Sequence, residues 1–316
     1  MRRVILKAGA LTGALALSAC VAPSGDNHSQ NNRQNTGQAS APAQPAAPVA
    51  MAPTPPPPPA VPAGPASFVF AGELTQGGWI KGQVPGGTTN ATLSGAPLAL
   101  TGDGRFFAAF DRDAGTTANL RATLRNGQVI ETPLTISPRA WNIERVNVAR
   151  APGGATEVFM ARRRPELARI EAARAVNAQS DGWAQDFIWP AKGRISGRFG
   201  SQRIYRGEPA AYHSGLDIAA STGTPFVAPA DGVVVLAAES PFSLEGYLLI
   251  IDHGMGLNSA FLHCSKIVVR EGDRVSQGQH IGDIGATGRA TGPHLHWGIK
   301  WNDARLDPLL FLGPMN

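Results

Sequence analysis

The chain has 316 residues, of which 43% are hydrophobic and 16% charged, with 37 glycines and 26 prolines. That length admits two folded domains, and the glycine and proline content favours turns and short strands over long helices. The formal charge of +5 is not a nucleic-acid signature: Arg2, Arg3 and Lys7 supply three of the charges within the first twenty residues, which hold no acid, so only +2 remains beyond them. No basic run interleaved with aromatics follows, and a nucleic-acid partner is not expected.

Residues 1–20 read as an export signal, with a basic start, an apolar stretch from Ala8 to Leu17 and small residues before Cys20. The apolar stretch is too short to span a bilayer. Leu17-Ser18-Ala19-Cys20 resembles the lipobox of bacterial lipoproteins. That resemblance implies cleavage before Cys20, acylation of its thiol and, with Val21 rather than Asp next in the chain, sorting to the outer membrane facing the periplasm. Lipid would anchor the protein to the membrane, with no segment spanning it. One cysteine remains, Cys264, so no intramolecular disulfide is available. Strand alternation would turn it away from His263, to the side of Leu262, as a small buried apolar residue.

Residues 21–66 are polar, then rich in Ala and Pro, with five successive prolines at 55–59. Such a segment buries too little apolar surface to fold, and its Pro-rich half predicts a polyproline spacer with a reach on the order of 70 Å. Residues 67–150 carry short apolar runs, among them Phe68-Val-Phe70, Leu120-Arg-Ala-Thr-Leu124 and Leu134-Thr-Ile136, divided by glycine turns. The spacing predicts a small antiparallel sandwich of immunoglobulin-like type, and Asn126-Gly127 predicts a tight hairpin. No titratable cluster lies here, so a spacer or partner-binding role is expected.

Residues 151–187 form a connector, with a helix predicted over 162–179, Pro165 in its first turn and Leu167, Ile170 and Ala173 as its apolar stripe. The Arg162-Arg-Arg164 run is expected on solvated surface. From 188 to 316 the pattern is β again. Gly232-Val-Val-Val-Leu236 and Tyr247-Leu-Leu-Ile-Ile251 are too apolar for exposed strands and too short for helices.

The chemistry concentrates in this last segment. In Gly292-Pro-His294-Leu-His296-Trp297, strand alternation sends both histidines to one face and Leu295 and Trp297 into a core. His213-Ser-Gly-Leu-Asp217 adds an imidazole and a carboxylate, and a bend at Gly215 is needed to let them share an ion. Ser259-Ala-Phe-Leu-His263-Cys264 brings a further histidine. Two imidazoles and a carboxylate are what a catalytic zinc takes, with its fourth position left to water. His28 and His280 are given no role, and His253, at a strand end, is expected to support the fold.

These pieces occur together with Ile195-Ser-Gly-Arg-Phe-Gly200, Ala228-Pro-Ala-Asp-Gly232, Ile251-Asp-His-Gly254, Val275-Ser-Gln-Gly278-Gln279 and Gly285-Ala-Thr-Gly288. In this order and context, residues 188–312 resemble the lysostaphin-type zinc metallopeptidases that cut peptidoglycan cross-links. The resemblance implies a mainly β protein whose antiparallel peptidase sheet carries a zinc groove. It implies Zn2+ on His213, Asp217 and His296, with His263 and His294 as unligated catalytic histidines. It also implies a peptidoglycan peptide as substrate and cell-division or wall-remodelling proteins as partners. Residues 201–212 and 239–246 are expected to form groove walls, with Tyr205 and Tyr212 as candidate groove hydroxyls. Phe261 stands where many relatives have tyrosine and is expected to keep an aromatic wall. The competing expectation is a non-enzymatic envelope lipoprotein that activates cell-wall amidases. Such proteins have usually lost ligands or catalytic histidines, and this chain has not.

The anchor is open to a direct check. Cys20→Ser is expected to leave the protein in the soluble periplasmic fraction or as an unprocessed precursor. Membrane fractionation with the variant bound as tightly as the parent would exclude lipidation at Cys20.

Overall fold

The computed structural model describes residues 64–149 and 156–315; the leader, Cys20, His28 and most of the 21–66 segment lie outside it. The first strands are β1 (Val69–Gly72), β2 (Trp79–Gln83), β3 (Thr88–Leu93), β4 (Ala96–Pro97), β5 (Arg105–Ala109), β6 (Thr117–Leu124) and β7 (Val129–Thr135). They form two sheets, ordered β1-β2-β5 and β4-β3-β6-β7. Thr75, just past β1, bridges in parallel to Ser137, just past β7. This is the strand order of an immunoglobulin-like sandwich whose fourth strand sits beside the third. Alternation fills its interior with Ile80, Phe106, Leu120, Ala122 and Ile136, each fully buried. The Asn126-Gly127 hairpin has a three-residue loop. Gly127 N–H donates to Leu124 O, and Gly127, at φ 83°, closes it as a bulge.

β8 (Ile143–Val146) leaves the sandwich and pairs in parallel with β10 (Gln202–Tyr205), which also pairs with β11 (Glu208–Pro209). The remaining strands are β9 (Arg194–Gly197), β12 (Leu216–Ala219), β13 (Pro225–Val227), β14 (Gly232–Ala237), β15 (Tyr247–Asp252), β16 (Leu257–Cys264), β17 (Lys266–Ile267), β18 (Arg274–Val275), β19 (His280–Asp283), β20 (His294–Trp301) and β21 (Ala304–Leu306). The main sheet runs β18-β14-β15-β16-β20-β12-β9, with β21 on β20. The fold is therefore mainly β, as the sequence predicts.

The main sheet is covered on both faces, which is why β14 and β15 read as near-continuous apolar runs. Beneath it Phe226, Phe261 and Trp297 stack, with Leu216, Ile218 and Leu295 around them, all fully buried. This core continues into the sandwich, where Trp79 meets Phe311 and Phe107 meets Trp301. Polar contacts join the same pieces: Trp79 Nε1 donates to Leu310 O (3.1 Å), Lys81 Nζ to Ala184 O (2.9 Å) and Arg112 to Gly200 O (3.0 Å). The sandwich is thus docked on the β12–β20 sheet.

The upper face is covered in part by α1 (Glu157–Ala175), through Ile170 and Ala173 against Leu236, Leu248, Ile250 and Ala260. The helix starts five residues before the predicted position, because Thr156 caps it by accepting from Phe159 N–H (3.1 Å). Pro165 consequently lies inside the helix rather than in its first turn. That placement removes a helical hydrogen bond at a cost of about 3 kcal/mol, and an ion-pair network at this turn offsets it. Arg163, expected on solvated surface, is buried. Its guanidinium donates to both oxygens of Glu245 (2.6 and 2.7 Å) and to Glu166 (3.0 Å), and Glu166 accepts from Ser243. Leu167, predicted on the apolar stripe, is exposed. No helix among the described residues is long and apolar enough to cross a membrane.

Breaking this network strands two largely buried carboxylates. Arg163→Met should lower stability by about 2–3 kcal/mol, seen as a lower Tm, and adding Glu245→Gln should restore part of it. An unchanged Tm in the single variant would remove the network from the account of the helix.

Candidate metal centre

Antiparallel pairing sets Asp217 of β12 opposite His296 of β20 and Leu216 opposite Trp297. Cross-strand partners share a face, so the carboxylate and imidazole stand together above the aromatic core. His213 precedes β12 and is held by main-chain bonds, His213 N–H to Ser201 O and Gly200 N–H to His213 O (both 2.8 Å). Its Nε2 lies 3.0 Å from Asp217 Oδ1 and 3.1 Å from His296 Nδ1, and that nitrogen lies 2.8 Å from the same oxygen.

The tautomers expose the demand at this triangle. His213 Nδ1–H donates to the Arg198 carbonyl (3.1 Å), so the neutral ring turns a lone pair from Nε2 toward a carboxylate oxygen. Two lone pairs at that distance need a cation between them. Titration responds accordingly. Burial opposes charging His213, yet the Asp217 carboxylate raises its pKa above the ordinary value. Burial pushes Asp217 up, but hydrogen bonds from His213 and His296 hold it well below the usual carboxylate range. Burial lowers His296. The three donor atoms fit zinc: ligands at 2.0–2.1 Å on a tetrahedral ion stand about 3.4 Å apart, a slight expansion of this triangle. Of the five histidines and carboxylates assigned to the site from the sequence, these three form a metal-competent group among the described residues.

Two glycines create the room. A Cβ on Gly197 would lie 2.3 Å from Asp217 Oδ2, and one on Gly215 would lie 2.6 Å from Trp297 O and 2.7 Å from His296 Nε2. Gly215 does sit at the bend between His213 and Asp217, but its φ is not left-handed. Close approach, rather than backbone freedom, is what excludes a side chain there.

The other two site histidines stand alongside. His294 Nδ1 donates to Gly292 O (2.8 Å), and its Nε2 is 3.8 Å from Asp217 Oδ1. His263 Nδ1 donates to Thr287 O (2.8 Å), and the His263 and His294 rings lie 4.9 Å apart. Burial lowers the His263 pKa. His263 has φ 63°, and the β15–β16 register gains a residue here, pairing Leu249 with Phe261 but Tyr247 with Cys264. This bulge re-aims the histidine and breaks the alternation on which the placement of Cys264 was based. Cys264 is buried, as expected, but in the core with Phe261 rather than beside Leu262. Its thiol is pushed up to about 12 by burial. Phe261 is itself fully buried in that core and forms no groove wall.

His253 supports the fold, with Nδ1 donating to Asp231 O (2.7 Å), Nε2 accepting from Ser259 Oγ (2.8 Å), and burial lowering its pKa to about 4. His280 bonds Asp283, away from the site. Beside the triangle a cavity of about 650 Å³ is lined by His213, Asp217, Tyr205, Tyr212, Arg203 and Arg289, so the 201–212 hairpin does wall the groove. Tyr212 is engaged, accepting from Arg305 (3.4 Å) under the Arg112 guanidinium. Sequence reasoning did not single out Gly197 or the Arg198, Thr287 and Gly292 carbonyls. All four residues lie within motifs read from the sequence, but carbonyl roles leave no residue-type signal.

Fold and donor set together describe an antiparallel β domain with a metal-competent His/Asp/His group. Residues 211–308 match Peptidase family M23. The peptidoglycan DD-endopeptidase ShyA of Vibrio cholerae is 44% identical over 108 residues, 34% of this chain and 25% of that protein. A lipoprotein NlpD/LppB homolog of Pseudomonas aeruginosa is 38% identical over 133 residues, covering 42% of this chain and 40% of that one. A solved structure of a candidate peptidase M23 from Pseudomonas aeruginosa is 28% identical, with a TM-score of 0.56, covering 77% of this chain and 96% of that one. Residues 211–308 therefore form a Peptidase family M23 domain, and the peptidases of that family are zinc metallopeptidases. The chain spans about a quarter of the length of the Vibrio relatives it matches first.

Gly197→Ala tests the room left for the carboxylate. The added methyl should displace Asp217 and lower zinc affinity by about 10- to 100-fold while the far-ultraviolet spectrum stays native. Wild-type affinity in a chelator competition would refute it.

Proposed function

We propose that this protein is a zinc-dependent endopeptidase that hydrolyses peptide cross-links of bacterial peptidoglycan. The observation that carries the reading is the convergence of His213, Asp217 and His296 with two further histidines on the same groove face. His213 through Nε2, Asp217 through Oδ1 and His296 through Nδ1 would hold the metal. Zinc bound there supplies Lewis acidity and acidifies a water molecule. His263 and His294 have their Nδ1–H groups committed to carbonyls, which leaves each Nε2 to exchange a proton. One takes the proton of the attacking water and the other donates to the developing oxyanion. The core beneath the sheet keeps both rings and the metal ligands in fixed relation.

The peptidoglycan assignment is supported by the kinship with a DD-endopeptidase. Residues 1–20 we read as a lipoprotein leader and 21–66 as a spacer. Acylated Cys20 would anchor the chain in the outer membrane, with the sandwich and peptidase facing the periplasm among wall-remodelling proteins. Kinship with the NlpD/LppB homolog supports the lipoprotein reading and keeps the amidase-activator alternative in play. The complete set of five site residues favours the enzyme.

Zinc content and cleavage of cross-linked muropeptides, measured on the same preparations, separate the roles. His213→Ala, Asp217→Ala and His296→Ala should each lose zinc and activity together. His263→Ala and His294→Ala should keep near-normal zinc and lose about 100-fold or more in rate. Zinc loss in His294→Ala would exchange its role with His296. Wild-type protein that binds zinc and cuts nothing, yet stimulates a wall amidase, would establish the activator.

A further inference from the structure

A second cavity holds more positive charge than it balances. Between α1 and β20 lies a space of about 260 Å³ whose wall includes Arg163, Arg174, Glu245, His296, Lys300 and Arg305. Glu245 is engaged by Arg163 at two points. Among the described residues Lys300 is paired only with Asp303, whose carboxylate is fully exposed (3.1 Å). No acid among the described residues forms an ion pair with Arg174 or with the Arg305 side chain. Arg174 Nε is buried without any hydrogen-bond partner. Burial and the neighbouring Arg305 charge together hold the Arg174 pKa below its ordinary value. Among the described residues the Arg305 side chain reaches only the Tyr212 hydroxyl (3.4 Å) and ring.

Burying a guanidinium N–H without an acceptor, beside a second cation, is unfavourable for the protein alone. An oxyanion in the cavity would balance the excess charge, since guanidinium forks match carboxylate geometry. The position of the cavity limits what carries that anion. Ala260 pairs with Gly298 and Leu262 with His296 across β16 and β20, so α1 lies on the sheet face that bears the metal ligands. His296 forms part of the cavity wall. A ligand here therefore also borders the metal centre.

We propose that the cavity between α1 and β20 is an anion subsite in which Arg174, Arg305 and Lys300 take a free carboxylate of the peptide being cleaved. The identity of the ligand rests on the peptidoglycan reading; the anion site itself does not. Helix α1 then belongs to the substrate groove, and its pinning by Arg163 fixes where Arg174 stands.

The test uses the full-length, zinc-loaded chain in detergent. The probes are an uncross-linked disaccharide tetrapeptide and the same compound with its carboxylates amidated, neither containing a cross-link to cut. Calorimetric titration should show the acid form bound about tenfold or more tighter than the amide. Arg174→Gln and the exposed-site variant Arg305→Gln should each abolish that preference while retaining zinc. With cross-linked muropeptide, KM should rise by about tenfold in each variant, more than kcat falls. Variants that keep the wild-type preference for the acid form would overturn the proposal. So would a rise in kcat at unchanged KM, which would make α1 an obstruction. Acid-selective binding that is lost in the variants, in a protein that never cleaves, would keep the subsite and remove the peptidase reading. Cleavage with no acid preference would remove the subsite alone.

Discussion

The site is organised by a repulsion. An imidazole lone pair on His213 and a carboxylate oxygen on Asp217 stand 3.0 Å apart, and a second imidazole nitrogen completes the triangle at 2.8 and 3.1 Å. Nothing in the neutral chain makes that favourable, so the architecture around it must impose it. The β12–β20 register does so, because a one-residue slip would send Asp217 and His296 into the core and Trp297 onto the surface. Leu216, Leu295 and Trp297, all fully buried, make that exchange prohibitive. The Arg198 carbonyl fixes the His213 tautomer, and Gly197 and Gly215 keep the approach open. What relieves the repulsion is a cation, either a proton or, in the function proposed, a metal ion.

Much of this was legible in the chain. Alternation placed His294 and His296 on one face, and the apolar runs at β14 and β15 announced strands covered on both sides. These signals are local, with a period of two residues. Failures of legibility share a cause. Cys264 and Phe261 were misplaced because a bulge at His263 breaks the period, and the bulge depends on how β16 pairs with β15. The burial of Arg163 leaves no local signal because its partner, Glu245, is 82 residues away. The helix start was missed because a single threonine hydroxyl outweighed the pull of Pro165 toward the first turn.

The family match begins at residue 211, yet the groove does not. Strand β8, which leaves the sandwich, extends the β10–β11 hairpin that walls one side of the His213–Asp217 group. Helix α1 closes the other side and supplies Arg174. Both segments precede the His213–Asp217 motif in the chain. The sandwich has no titratable cluster of its own, but docking it through Trp79, Phe107 and Arg112 determines where β8 can run.

The division of labour follows from what each contact can tolerate. Metal ligation requires donor positions held to a few tenths of an ångström, and a sheet core with interlocked aromatics delivers that. Recognition of a substrate requires surfaces that can differ without disturbing those donors. Segments added from outside the sheet, tied on by ion pairs and one parallel strand, meet that need. A change at Arg174 or along β8 is expected to alter the groove while the register beneath His296 stays fixed by Trp297 and Leu295. In the function proposed, the chemistry thus belongs to the sheet, and selectivity to the chain that comes before.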